Sequence, residues 1–527
     1  MHPVPLVLAL LLVLVGLVAI ALRLRIPYPI VLVLGGLGLA IPPRMPTVAL
    51  GPDIVFLLFL PPLLFSDALN SSWRDFKEYR GPIFRLAVGL VFATTAAVVL
   101  VAHFCCRMAW GPAFVLGAVL GPTDTVAVSA VLEQFQIPRG LLVVLRGESL
   151  VNDASALVLF EAAIRTTQLK TYVWGSVLTD FCLAVVGGIL TGWVVAWLAL
   201  QLRRHTPDLL LANTISLLTP FAAYQPAAAI HASGVLAVVT AGLYFGWNDP
   251  RIGSARGRVQ ASGIWEIQTF LLNGLLFILI GLQLRRISGA LWSEQSWFLI
   301  GGGLAVSATV ILVRVAWVFA SSYLSRLSGR KNRPAEGQSR RREAILLSWV
   351  GIRGGISLAA ALSIPSVLTG GVPFPNRNEI LIFTFAVILI TLLAQGVTLK
   401  KIVNWLAFPP EPALQMEEVT ARSAMATAAL EYLDSVEPYG ENRDRAIDYL
   451  RESYHSAEQA KPENHSSSDP SSGRLEKIAS LELEILKRQR RRLIDLRDSG
   501  QIGDQILRRY QTVLDLREST LEQQEGG

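Results

Sequence analysis

Residues 145–162 read LRGESLVNDASALVLFEA. Leu, Val, Ala and Phe at this density describe a helix that crosses a membrane, yet Glu148, Asn152 and Asp153 lie inside it. Even lenient insertion scales set the cost of a charged side chain at a helix centre at roughly 2.5 to 3.5 kcal/mol. An intramembrane carboxylate is therefore read as part of a functional site or as one half of a buried ion pair. Which acid has which role decides the reading of the chain.

Of the 527 residues, 52% are hydrophobic and 17% charged, with a mean hydropathy of +0.46. Soluble domains carry about 25% charged residues, so this is a membrane protein. Most acids lie after Pro409, which divides the sequence into a membrane domain, 1–410, and a helical cytoplasmic tail, 411–527. A flexible linker, PENHSSSDPSSG, is expected inside the tail at 462–473. Cys105, Cys106 and Cys182 show neither metal-ligand spacing nor a disulfide framework.

About thirteen apolar runs have the length that a hydrocarbon core of about 30 Å requires. They centre near residues 13, 34, 60, 93, 121, 153, 187, 217, 238, 275, 310, 353 and 392. The first, Val4–Leu22, lacks the basic leader and small-residue cleavage site of a signal peptide and reads as a retained span. With the N-terminus outside, Arg23, Arg25, Arg74, Lys77, Arg80, Arg203, Arg204, Lys400, Lys401 and the basic run from Arg326 to Arg342 fall inside. Fewer bases, among them Arg44, Arg107, Arg165 and Arg377, fall outside, as the positive-inside rule asks.

Two spans carry breakers beside polar residues: FVLGAVLGPTDTVAVSAVL (114–132) and LLSWVGIRGGISLAAALSIP (346–365). Interrupted spans at corresponding places point to a transporter built from inverted repeats. The two stand seven spans apart, so they cross in opposite directions, as two six-span repeats joined by a linker span require. The mid-depth polar residues are Thr123, Asp124 and Thr125, then Glu148, Ser149, Asn152 and Asp153, then Arg353, with Asp67 a further contributor. On a helix, Ser149 and Asp153 are neighbours at i,i+4, as are Glu148 and Asn152. Hydroxyl and carboxylate oxygens suit a hard monovalent cation, with Asp153, Ser149 and Thr123 the expected metal ligands; the cluster has no His or Cys for zinc, iron or copper. Asp153 is read as the carboxylate that alternates between proton and cation, and Glu148 with Arg353 as a structural ion pair.

GPTDTVAV, RGESLVNDA, HASGVLAVVTAGL, FLLNGLLFILIGLQL and GIRGGISLAAAL together resemble the bacterial sodium/proton exchangers of the first cation:proton antiporter group. The resemblance covers nearly all of residues 1–410. It implies an all-α polytopic membrane protein of about thirteen transmembrane helices, two inverted six-helix repeats, crossed broken helices, and alternating access at mid-membrane. By the same resemblance Asp153 matches the ion- and proton-binding aspartate, Asn152 its preceding asparagine, and Thr123 with Asp124 the pair on the first broken helix. Ser149 matches a ligand-contributing serine, and Glu148 with Arg353 the ion pair. Two positions depart from the pattern: relatives often carry an acid where this chain has Ser66, with Asp67 one place on, and a glutamate where it has Ala228.

The expected function is antiport of a monovalent cation, Na+ first, against H+ in the cell's inner (plasma) membrane, with the tail cytoplasmic. With Asn152 neutral and Glu148 paired, one titrating carboxylate remains, so exchange is expected to be electroneutral. K+/H+ antiport on the same fold is the first alternative, and a cation channel the second. No nucleotide motif or catalytic nucleophile set is present, so the chain is not read as an enzyme. Expected partners are membrane lipid, a second copy in a homodimer and a regulator of the tail, with no nucleic acid. No cofactor is expected beyond the transported ions.

Overall fold

The computed structural model describes residues 3–40, 55–125, 128, 132, 135, 137–169, 174–291, 296–327, 337–368, 371–409, 412–436, 447–448, 450–451, 454 and 472–525. Among them the chain is helical throughout, apart from an isolated bridge pairing Val367 with Pro373. Hydrocarbon imposes this outcome, because a backbone out of reach of water must satisfy its own N–H and C=O groups.

The helices run in the order α1 (Pro3–Leu24), α2 (Tyr28–Ala40), α3 (Leu60–Leu69), α4 (Trp73–Glu78), α5 (Arg80–Phe84), α6 (Val91–Phe104) and α7 (Trp110–Val119). They continue as α8 (Arg139–Leu169), α9 (Trp174–Arg204), α10 (Leu209–Ala229), α11 (Gly234–Ile252), α12 (Ala255–Leu291) and α13 (Ser296–Leu327). Then come α14 (Gly337–Trp349), α15 (Gly355–Leu362) and α16 (Arg377–Leu406), and in the tail α17 (Pro412–Ser435), α18 (Ser472–Asp498) and α19 (Asp504–Glu525). Each apolar run expected from the sequence coincides with a helix or, at 121 and 353, with a break flanked by helix. Among the described residues six helices are long and apolar enough to cross a membrane, and three shorter apolar ones accompany them. Most of the expected linker, 462–471, lies outside the described residues, and Ser472 already opens α18.

The chain divides into two compact units. The first comprises Met1–Leu202, Ile215–Gly246 and Glu266–Pro410. Its helices approach closely where glycines face one another: a Cβ on Gly36 would stand 2.3 Å from the Ile278 carbonyl oxygen, and one on Gly281 2.3 Å from that of Val33. Small residues at a helix crossing are how membrane helices gain contact when no hydrophobic drive separates them from lipid. A second packing centre joins Ile83, Leu86 and Leu90 to Val144 of α8, Val318 of α13 and Ala344 of α14. There a π-helical turn, Arg85–Leu90, widens the helix, and the indole of Trp317 donates to the Arg85 carbonyl at 3.0 Å. This cluster holds α8 beside α13.

The second unit comprises Arg203–Thr214, Trp247–Trp265 and Glu411–Gly527. Ala421 of α17 packs with Leu486, Leu493 and Leu496 of α18 and with Ile506, Leu507 and Leu514 of α19. The turn between α18 and α19 depends on Gly500, whose φ of 82° favours glycine, with Gly500 N–H donating to the Arg497 carbonyl at 3.0 Å. Trp247–Trp265, which closes α11 and opens α12, joins the tail helices here. The Arg497 guanidinium lies 4.1 Å from the centre of the Trp247 ring.

Gly281→Val should cost about 1–3 kcal/mol by forcing α2 and α12 apart. The check is a lowered unfolding midpoint of the purified protein in detergent. Gly38→Val, which meets no atom within 4 Å, serves as the neutral control.

Candidate functional site

α7 stops at Val119 because Pro122 has no N–H to continue the helix and restricts Gly121 before it. Residues 122–125 run on without helical form. The second break falls between α14 and α15, where Val350–Gly354 is unwound around Gly351 and Gly354. The two unwound segments meet: the Asp124 N–H donates to the Ile352 carbonyl at 2.8 Å. The Asp124 carboxylate lies against Gly354 so closely that a Cβ there would stand 1.7 Å from Oδ2.

Each break sets a charge at the other's exposed helix end. Gly354 is the N-cap of α15 and brings no side-chain cap, so the Asp124 carboxylate lies where that helix presents the positive end of its dipole. Reciprocally, Arg353 Nε donates to the Leu120 carbonyl at the C-terminus of α7, 3.1 Å away, and its Nη1 to the Gly351 carbonyl at 2.5 Å. α16 supplies two further braces. Gln395 Oε1 accepts from Gly351 N–H at 3.3 Å, and Thr391 Oγ1 accepts from Arg353 N–H at 3.2 Å.

α8 passes alongside and presents the acids of the opening stretch. Thr123 is their meeting point: its hydroxyl donates to Glu148 Oε1 at 3.0 Å and accepts from Asn152 Nδ2 at 2.8 Å. Its carbonyl accepts from Ser149 Oγ at 3.3 Å. Glu148, Asn152 and Asp153 are all buried. Among the described residues Asp153 has no hydrogen-bond or ion-pair partner, and neither does Asn152 Oδ1. The charges that act on Asp153 are those of Asp124 and Asp67. Asp67, near the end of α3, is exposed, yet Asp124 and Arg146 act on it in turn.

One expectation is corrected. The partner of Glu148 is Arg314 on α13: Nη1 lies 2.5 Å from Oε1 and Nη2 3.0 Å from Oε2, with both side chains 1% exposed. Arg314 Nε donates to the Leu347 carbonyl at 2.9 Å. Arg353 stays within electrostatic reach of Glu148 and Arg314, but its Nε and Nη1 are turned to the carbonyls released by the helix breaks. Its short reach to Leu120 O and Gly351 O is the physical reason. The missed signal was a lone arginine inside the apolar run of α13, since such a residue demands a buried acceptor.

The family model for the transmembrane sodium/hydrogen exchanger matches residues 8–405. The chain belongs to the sodium/hydrogen exchanger family. It is 35% identical over 499 residues to an uncharacterized Na+/H+ exchanger of Mycobacterium tuberculosis, a match covering 93% of this chain and 90% of that one. It is 33% identical to the sodium, potassium, lithium and rubidium/H+ antiporter of Bacillus pumilus, over 69% of this chain and 56% of that one. Its fold matches the sodium proton antiporter MjNhaP1 of Methanocaldococcus jannaschii with a TM-score of 0.62 at 20% identity, over 78% of this chain and all of that one. The exchanger is thus a multi-pass membrane protein for cation/proton antiport, a transporter and not an enzyme.

A double-mutant cycle on Glu148 and Arg314 should show strong coupling, and one on Glu148 and Arg353 markedly less. Arg314→Ala alone strands a buried carboxylate and should cost about 3–5 kcal/mol. Thermal unfolding of the four detergent-purified variants of each cycle checks this; equal coupling in both cycles would contradict the Arg314 assignment.

Proposed function

We propose that this exchanger moves one monovalent cation, Na+ first, against one H+ by alternating access, with both competing for Asp153. The observation that carries the reading is the buried Asp153 carboxylate, which has no hydrogen-bond partner among the described residues, next to the unpartnered Asn152 Oδ1 and a crossing of unwound backbone. A buried carboxylate without a partner needs either a proton or a cation to neutralise it, and each displaces the other. Ser149 donates its hydrogen to Thr123 O and keeps lone pairs for a cation. The Thr123 hydroxyl both donates and accepts, which makes it chiefly the brace that holds Glu148 and Asn152.

Three groups divide the remaining charge. Glu148 is neutralised by Arg314, Asp124 faces the α15 N-terminus, and Asn152 cannot titrate. One proton-exchanging carboxylate then gives a cycle that moves no net charge. A membrane potential is worth about 2.3 kcal/mol per charge per 100 mV, and a carrier of this kind is indifferent to it. The potassium reading gains weight from the Bacillus pumilus relative, whose name includes sodium, potassium, lithium and rubidium. The carrier is read as a plasma-membrane protein with its N-terminus outside, on the positive-inside pattern. Homodimerisation is supported by the exposed apolar face of α1, where Leu12, Val15 and Leu22 need lipid or a second copy to cover them.

Asp153→Asn should abolish cation-driven proton movement while leaving a folded protein. Fluorescence dequenching in everted vesicles, with Na+, Li+, K+ and Ca2+ compared across pH, reads both the loss and the selectivity; retained exchange would move the site to Asp124 or Asp67. Proteoliposomes of the wild-type chain given a Na+ gradient and a potential-sensitive dye should develop no potential. A potential whose sign follows the gradient would refute one-for-one exchange.

A further inference from the structure

The basic run KRQRRR (487–492) has no part in the exchange site, and it lines a cavity of its own in the second unit. That cavity has a volume of about 440 Å³, within the range of roughly 300–1,000 Å³ in which small-molecule sites fall. Its lining carries Arg251, Arg258, Lys487, Arg490 and Arg491 against one acid, Asp495. Helical spacing places Lys487, Arg490, Arg491 and Ile494 on one stripe of α18, facing the segment that joins α11 to α12.

Several of these cations are held from outside the lining. Arg258 makes a bidentate pair with Asp515 of α19, at 2.5 and 2.8 Å, and Arg490 shares that carboxylate at 2.7 Å and also pairs with Glu518. Arg251 pairs with Asp498. These contacts fix the guanidinium groups in place. Lys487 makes only a 3.7 Å pair with Glu484, and among the described residues Arg491 has no ion pair. Arg490 Nε is buried without a hydrogen-bond partner. Carboxylates already occupy the Arg258 fork and Arg490 Nη2, which leaves Arg490 Nε with the two less committed bases, Lys487 and Arg491, as donors for the oxygens of a phosphate group.

We propose that this cavity binds a multiply charged phosphate, a diphosphate or a phosphorylated headgroup, which bridges α18 to the Pro250–Arg258 segment between α11 and α12. The segment is joined directly to two apolar helices of the exchanger, so an occupied cavity ties the tail to the carrier's own chain. The site would make tail docking sensitive to an anion rather than to the transported cation.

The test uses the full-length protein and the variant K487Q/R491Q, which leaves the Arg258–Asp515–Arg490 clamp intact. Inorganic pyrophosphate is the soluble probe, titrated by calorimetry in detergent. It should bind wild type, and affinity should fall at least about tenfold in the variant, since one charge-assisted hydrogen bond is worth about 1.5–3 kcal/mol. The lipid arm compares nanodiscs of cardiolipin, whose headgroup carries two phosphates, with phosphatidylcholine, reading amide hydrogen exchange across residues 250–258. Protection that rises with pyrophosphate in either lipid identifies a soluble phosphate. Protection that rises with cardiolipin alone, together with weakened pyrophosphate binding there, identifies a headgroup. Absence of both responses, or equal responses in wild type and variant, would overturn the proposal.

Discussion

The hydrogen bond from Asp124 N–H to the Ile352 carbonyl, 2.8 Å long, joins two stretches of backbone that hydrocarbon would reject separately. Each interruption releases carbonyls and amides that water cannot reach. The crossing satisfies part of them, and side chains supply the rest: Arg353 to Leu120 O and Gly351 O, Gln395 to Gly351 N–H, Thr391 to Arg353 N–H, and Ser149 with Asn152 to Thr123. Ser149 and Asn152 of α8, Arg353 in the second break, and Thr391 and Gln395 of α16 meet that requirement. Unwound backbone is tolerated at such depth where protein encloses it or a cavity borders it.

The crossing also sets the electrostatics. A half-helix ending inside the bilayer carries an uncompensated partial charge at its end. Asp124 stands at the start of α15 and Arg353 at the end of α7, so each break supplies what the other lacks. Arg353 Nε and Nη1 are thereby committed to backbone, and Glu148 takes its counter-charge from Arg314, on a helix that shares a packing cluster with α8 through Val144 and Val318. The ion pair is thus a consequence of helix packing as well as of charge.

Much of this was legible in the sequence. Pro122 and the glycines at 351, 354 and 355 announce the breaks, and the acids of α8 announce a buried site, because both signals are local. The apolar runs place the helices for the same reason. The identity of Glu148's partner was not legible, since it depends on which helix lies beside α8 from 166 positions further along the chain. Arg353, next to a conspicuous breaker, drew the assignment that belonged to Arg314. The inclusion of Trp247–Trp265 with the tail helices was equally hidden: Arg258 and Asp515 lie 257 positions apart, and no periodicity connects them.

The two strips of α8 now separate by what saturates them. Glu148 receives two N–H groups from Arg314 and the Thr123 hydroxyl, and Asn152 spends its amide nitrogen on Thr123. On that strip the donors saturate Glu148, while Asn152 Oδ1 is left without a partner among the described residues. On the other strip Ser149 has given away its only hydrogen, and Asp153 has no donor at all among the described residues. A helix face that offers oxygens without donors repels further acceptors and accepts only protons or cations. Hydrogen bonds are sparing at Asp153 and abundant one helical step away at Glu148, and the proposed exchange at Asp153 rests on that difference.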